Sequence, residues 1–105
     1  MKATKANMPE TMYRASRCCR TLGNPTAYLI LRILGASRMT PTEISEVVEM
    51  SLSSISFTLR QLRNLDLVRY ETRGIHKEYW IKDRKILDVL ADLEKWVGAM
   101  RKKRH

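Results

Sequence analysis

Apolar residues along the first third of this chain recur at helical spacing. Between Glu10 and Leu22 they fall at Met12, Ala15, Cys19 and Leu22, with Arg14, Arg17 and Arg20 mostly off that line. The spacing predicts an amphipathic helix that stops at Gly23. Asn24-Pro25 opens a second helix, because Asn can cap the first free N–H groups and proline's missing N–H is harmless at the first helical position. The run from Ala27 to Leu34 is apolar nearly all round, which marks a central helix covered on more than one side. Gly35 and Ser37-Arg38 end it.

Thr40-Pro41-Thr42-Glu43 has the pattern of a capping box, with a short helix behind it whose buried stripe is expected to be Ile44, Val47 and Val48. Met50-Ser51 is read as the turn and Ser51 as the cap of the next helix. There Ile55, Leu59 and Leu62 repeat at i, i+4 and i+7 and must face a core. Ser53, Ser54, Ser56, Phe57, Arg60 and Arg63 occupy the other side, and Asn64-Leu65-Asp66 closes the helix. Two short helices joined by a tight turn, the second bearing small polar residues and arginines, are laid out as a helix-turn-helix that sets its second helix in a DNA major groove.

Strand-like residues follow at Leu67–Thr72 and Lys77–Ile81. Gly74 lies in the basic tip between them and is free to take positive φ, so a β-hairpin wing is expected. Asp83 is a fair cap for a last helix running to about Met100. Its apolar face holds Ile86, Val89, Leu90, Leu93, Val97 and Met100, widened by Leu87 and Trp96. The chain is read as one domain over 1–105, with a flexible arm at 1–9 and a basic tail at 101–105.

Charge narrows the choice of partner. The 105 residues carry a net charge of +9, which calls for an anionic partner. Residues 1–38 hold seven Lys/Arg against the single Glu10, and residues 60–85 hold eight against four acids. No amphipathic face concentrates these bases as a membrane-surface helix would, and no run of about 18 apolar residues exists, so no membrane partner is expected. Two adjacent cysteines cannot cross-link distant elements, which suits a reducing cytoplasm, here at the nucleoid. A phosphate-cradling glycine loop and a nucleophile paired with a base are both missing, so no enzyme is expected.

The order helix, helix, helix-turn-helix, hairpin, helix resembles the ArsR/SmtB family of winged-helix repressors from about Arg17 to Val97. Its most telling pieces are Leu22-Gly23-Asn24-Pro25-Thr26, the box at Thr40–Glu43, Met50-Ser51-Leu52-Ser53-Ser54-Ile55-Ser56, Leu59 with Leu62, and Leu67-Val68-Arg69. The resemblance implies a mostly α winged helix-turn-helix that forms a homodimer through its first and last helices. It also implies a repressor that sits on an inverted repeat in promoter DNA until an inducer weakens it. The residues themselves support pairing, since the last helix has more apolar surface than one small domain can cover. The interface is expected at Met12, Cys19, Leu22, Leu87, Leu90, Leu93, Trp96 and Val97.

DNA contacts are expected from Leu52, Ser53, Ser54, Ser56, Phe57, Arg60 and Arg63, and from Arg73, His76 and Lys77 at the wing. Ser53 and Ser54 could instead only satisfy first-turn N–H groups. Leu52 and Phe57 depart from the family pattern, where Gln and His or Arg are frequent, and could touch a thymine methyl or face inward. The usual metal sites look absent. The third helix has neither Cys nor His, and the last helix has Asp88, Asp92 and Glu94 without His, so neither a metal nor another cofactor is expected. By the stripe, Cys19 points inward and Cys18 lies nearer solvent, where Arg14, Arg17 and Arg20 would lower its thiol pKa. A repressor answering arsenite or oxidants through Cys18 and Cys19 is therefore one alternative, alongside a small-molecule inducer. Another is a winged-helix module that docks an acidic protein.

Overall fold

Local capping chemistry sets most element boundaries. In the computed structural model, which describes residues 4–102, a 3-10 turn at Lys5–Asn7 precedes α1 (Glu10–Leu22), α2 (Pro25–Leu34), α3 (Pro41–Val48) and α4 (Leu52–Asn64). The hairpin β1 (Val68–Arg73) and β2 (His76–Ile81) and then α5 (Lys85–Lys102) complete the order. Asn24 Oδ1 accepts from the N–H groups of Thr26 (2.9 Å) and Ala27 (3.1 Å) to start α2. The box at α3 closes in both directions: Thr40 Oγ1 accepts from Glu43 N–H at 3.2 Å, and Glu43 Oε1 accepts from Thr40 N–H at 2.9 Å. Ser51 Oγ accepts from Ser54 N–H at 3.2 Å and opens α4. Asp83 Oδ1 accepts from Lys85 N–H at 2.9 Å.

The core is built around α2, as its all-round apolar run predicts. Ala27, Ile30, Leu31 and Leu34 are buried against Ile44 of α3, Ile55, Leu59 and Leu62 of α4, Val68, Tyr79 and Ile81 of the hairpin, and Leu90 of α5. The strands pair antiparallel with Val68 opposite Ile81 and Arg73 opposite His76, leaving only Gly74 and Ile75 in the turn. Gly74 has φ +63°, and a positive φ at the first central position suits a two-residue hairpin of type II′. On the far side of β2, Met39 and Tyr79 exchange N–H···O bonds of 3.1 and 2.8 Å and fasten the entry of α3 to the wing.

Several expectations are corrected. The sharp turn before α4 is made by Glu49 in the left-handed region (φ 55°, ψ 47°), not by Met50-Ser51 alone. Ser45 Oγ braces it by donating to Met50 O at 2.5 Å. Val47 is exposed, because Ile44 and Val48, one turn apart, already make the short helix's contact with the core. Gly23 does occupy the C-cap of α1 as expected, in the right-handed region at φ −71°. No residue of α1 is buried, and Met12, Ala15 and Cys19 of the predicted stripe are exposed, while Leu22 packs on the core. Of the expected arm, residues 1–3 lie outside the described residues, as do residues 103–105 of the basic tail.

Candidate nucleic-acid interface

The buried side of α4 is Ile55, Thr58, Leu59 and Leu62, with Thr58 Oγ1 donating to Ser54 O at 2.9 Å. At ~100° per residue, the line opposite runs through Ser53, Phe57, Arg60 and Asn64. All four are exposed. Phe57 therefore faces away from the core, as does Leu52 in the first turn, which removes the inward alternative for both. Ser51, Ser53 and Ser54 bond among themselves, with Oγ separations of 3.3 Å (Ser51 to Ser53) and 2.9 Å (Ser51 to Ser54). These serines organise the helix start while their outer lone pairs stay open to solvent. Ser56 is half-buried.

The wing is tied to α4 by one arginine. Arg63 donates to Tyr70 Oη at 3.2 Å and lies 5.4 Å from the Tyr70 ring centre, so it positions the hairpin as well as carrying charge. Lys77 Nζ sits 4.9 Å from the same ring. Tyr79 faces the core, with burial first among the causes that push its phenol pKa up. Trp80 points to the opposite face, where Arg38 stacks on it at 4.2 Å. That outer face is an ion-pair cluster: Arg38 meets Glu71 at 3.0 Å, and Arg73 meets Glu71 at 3.2 Å and Glu78 at 4.0 Å. Arg73 is thus held at the wing by acids, whereas His76 and Lys77 stand exposed. Ile75, 92% exposed at the very tip, was not singled out by the sequence reading. Its place between Gly74 and His76 was the available signal.

At the other end of the molecule, α5 is anchored to α2 by Glu94. Its carboxylate accepts from Arg32 Nε at 2.9 Å and Tyr28 Oη at 2.5 Å and lies 2.6 Å from Arg32 Nη2. These bonds, Arg32's first, hold the Glu94 carboxyl below the usual carboxylate range. Leu87 packs so closely on α2 that a Cβ at Gly35 would lie 3.0 Å from it. Leu90, expected at the dimer interface, is fully buried in its own chain's core and is not available to a second copy. Met12, Cys19, Leu93, Trp96 and Val97 are exposed, and Tyr13, Leu29, Val89 and Met100 join them as exposed apolar residues left out of the expected interface.

The cysteines are placed the other way round from expectation. Cys18 is half-buried and lines a cleft of about 390 Å³ with Arg14, Arg17, Asn64 and Asp66, while Cys19 is exposed. Burial, then the neighbouring Cys19, pushes the Cys18 thiol up, so the arginines do not activate it. Among the described residues, no three His, Cys, Asp or Glu side chains gather where a metal ion could sit, and no helix is long and apolar enough to cross a membrane.

Comparison with known proteins agrees with this geometry. Residues 22–71 match the family model described as a helix-turn-helix domain. Among solved structures, Rv0081 of Mycobacterium tuberculosis is 24% identical with a TM-score of 0.82, over 93% of this chain and 98% of that one. NolR of Sinorhizobium fredii is 23% identical with a TM-score of 0.80, over 93% and 98%. Mb0332 of Mycobacterium bovis is 21% identical with a TM-score of 0.76, over 95% of each chain. It is described as a homodimeric winged helix-turn-helix DNA-binding domain and a possible ArsR-family transcriptional regulator. A search of curated proteins by sequence found no match. Residues 22–71 are thus similar to the helix-turn-helix family, and the fold is one shared with solved winged helix-turn-helix domains.

Proposed function

We propose that the chain is a homodimeric repressor that binds an inverted repeat in promoter DNA. The observation that carries this reading is α4. One side is sealed into the core, and the other presents Ser53, Phe57, Arg60 and Asn64 along a single exposed line. Arg60 would reach a guanine or a phosphate, the serines would meet backbone or base edges, and His76 and Lys77 would follow phosphates beside the minor groove. The net charge of +9 supports a large salt-dependent share of the affinity.

Pairing would come from α1 and α5. No residue of α1 is fully buried in its own chain, and Trp96 on α5 is 62% exposed beside Leu93 and Val97. Two such helices meeting their copies would set the two α4 helices into successive major grooves. An inducer, where one acts, would work by shifting that spacing. The chain would operate as one domain in the cytoplasm, on the nucleoid.

The test is titration of the purified protein against the promoter fragment upstream of its own gene and against a scrambled copy, at two salt concentrations. Tighter binding to the promoter that weakens steeply with salt is the expected result. Equal, weak binding to both fragments would overturn the repressor reading and favour the acidic-partner alternative, for which the exposed Leu52 and Phe57 speak.

A further inference from the structure

Phe57 is the one large apolar side chain on the outward line of α4, and it is 56% exposed. Folding gives it little burial, and a phenyl ring has no donor or acceptor with which to read a base edge. Its companions on that line are Ser53, one turn before it, and Arg60, just under a turn after it. Leu52 is set about 140° away around the helix, at ~100° per residue, so the two do not merge into one apolar line. A single ring among polar and cationic groups is unlike a protein-docking core, which gathers several aromatic and Met anchors. Within the major groove, the one apolar group that an unmodified base pair presents is the C5-methyl of thymine.

We infer that Phe57 reads a thymine methyl group, so that discrimination at that base pair rests on apolar contact and not on hydrogen bonding. The inference builds on the proposed DNA-binding role of α4. It assigns a reading residue to a face otherwise made of serine, arginine and asparagine. Arg60 lies three residues on, about 4.5 Å along the helix axis, so the ring and the guanidinium belong to one short stretch of the outward line.

The experiment uses the full chain and the tightest duplex selected from a random-sequence library. That duplex is compared with a copy in which every thymine is replaced by deoxyuridine, a change that removes methyl groups and leaves base pairing intact. Wild type should lose roughly fourfold in affinity for each methyl contact, or about fifteenfold for a dimer that makes the contact twice. Phe57→Ala should bind the thymine duplex about as weakly as wild type binds the uracil one, and should not distinguish the two. Phe57→Leu should keep part of the discrimination. Equal wild-type affinity for both duplexes, or a full uracil penalty retained by Phe57→Ala, would overturn the methyl contact while leaving the DNA-binding role standing. Enrichment of no duplex at all would overturn that role and this inference together.

Discussion

α2 and α5 are both rich in apolar residues, yet they spend them differently. α2 buries Ala27, Ile30, Leu31 and Leu34 within its own chain, whereas α5 buries only Leu90 among its described side chains and leaves Val89, Leu93, Trp96, Val97 and Met100 exposed. An apolar stripe states that a helix face must be covered, but not by what. α2 packs those four residues against α3, α4, the hairpin and α5, with Leu29 left exposed. α5 rests on α2 through Leu90, Leu87 and the Glu94 cluster, and its remaining apolar face is exposed. The same division separates α4, sealed on one side, from α1, which has no fully buried residue and touches the core only through Leu22.

This comparison can be broken most forcefully at Ile30. Ile30→Ala leaves a void in a fully buried site and should cost about 2–5 kcal/mol by chemical denaturation, whether the protein is monomer or dimer. A loss that depends strongly on protein concentration would mean that α2 also draws on a partner.

Next in size is Trp96→Glu, which places a charge in the middle of the exposed α5 face. Dimer dissociation measured by sedimentation should rise roughly a hundredfold, with the far-ultraviolet circular dichroism of the fold retained. An unchanged dissociation constant would move the interface away from α5.

A smaller effect is expected at the start of α2. Asn24→Ala removes the acceptor for the N–H groups of Thr26 and Ala27 and should lower stability by ~1 kcal/mol. The smallest concerns Glu94. Its folded pKa lies below the unfolded one, so its contribution is complete above the usual carboxylate range and is lost as pH falls through the lowered value. Melting temperature plotted against pH should therefore fall on the acid side, and Glu94→Gln should flatten that fall while lowering stability near neutrality. A slope unaltered by the substitution would show that the α2–α5 anchor does not depend on this carboxylate.

Much of the fold was legible because its signals are local. Asn24-Pro25, the Thr40–Glu43 box and Ser51 are short-range hydrogen-bonding patterns, and each starts its helix where the sequence places it. The core positions Ile55, Leu59 and Leu62 followed from periodicity. At α4, periodicity placed the outward residues on one side but left open whether Phe57 and Leu52 turned inward. That depended on which flank the neighbouring helices covered.

Other features depend on contacts distant in sequence. The apolar stripe of α1 is expected along Met12, Ala15, Cys19 and Leu22, yet only its last member reaches the core. Cys18, one residue off the stripe, is the more buried thiol. A stripe is ~100° wide, about one residue's rotation, so small shifts in docking decide between neighbours. Arg63 against Tyr70 and Arg73 against Glu71 and Glu78 likewise give two expected DNA contacts a place in the wing's own packing, through pairs that periodicity does not reveal.

By itself, then, the sequence determined the element order, the caps, the central place of α2 and the basic character of the chain, since each rests on neighbouring residues or on composition. Tertiary structure alone decided that Leu90 is spent inside the chain while Trp96 is not, that Glu49 makes the turn in the left-handed region, and that Phe57 stands outward between Ser53 and Arg60. The physical reason is that burial belongs to pairs of surfaces, and which surfaces meet is settled only when the helices pack.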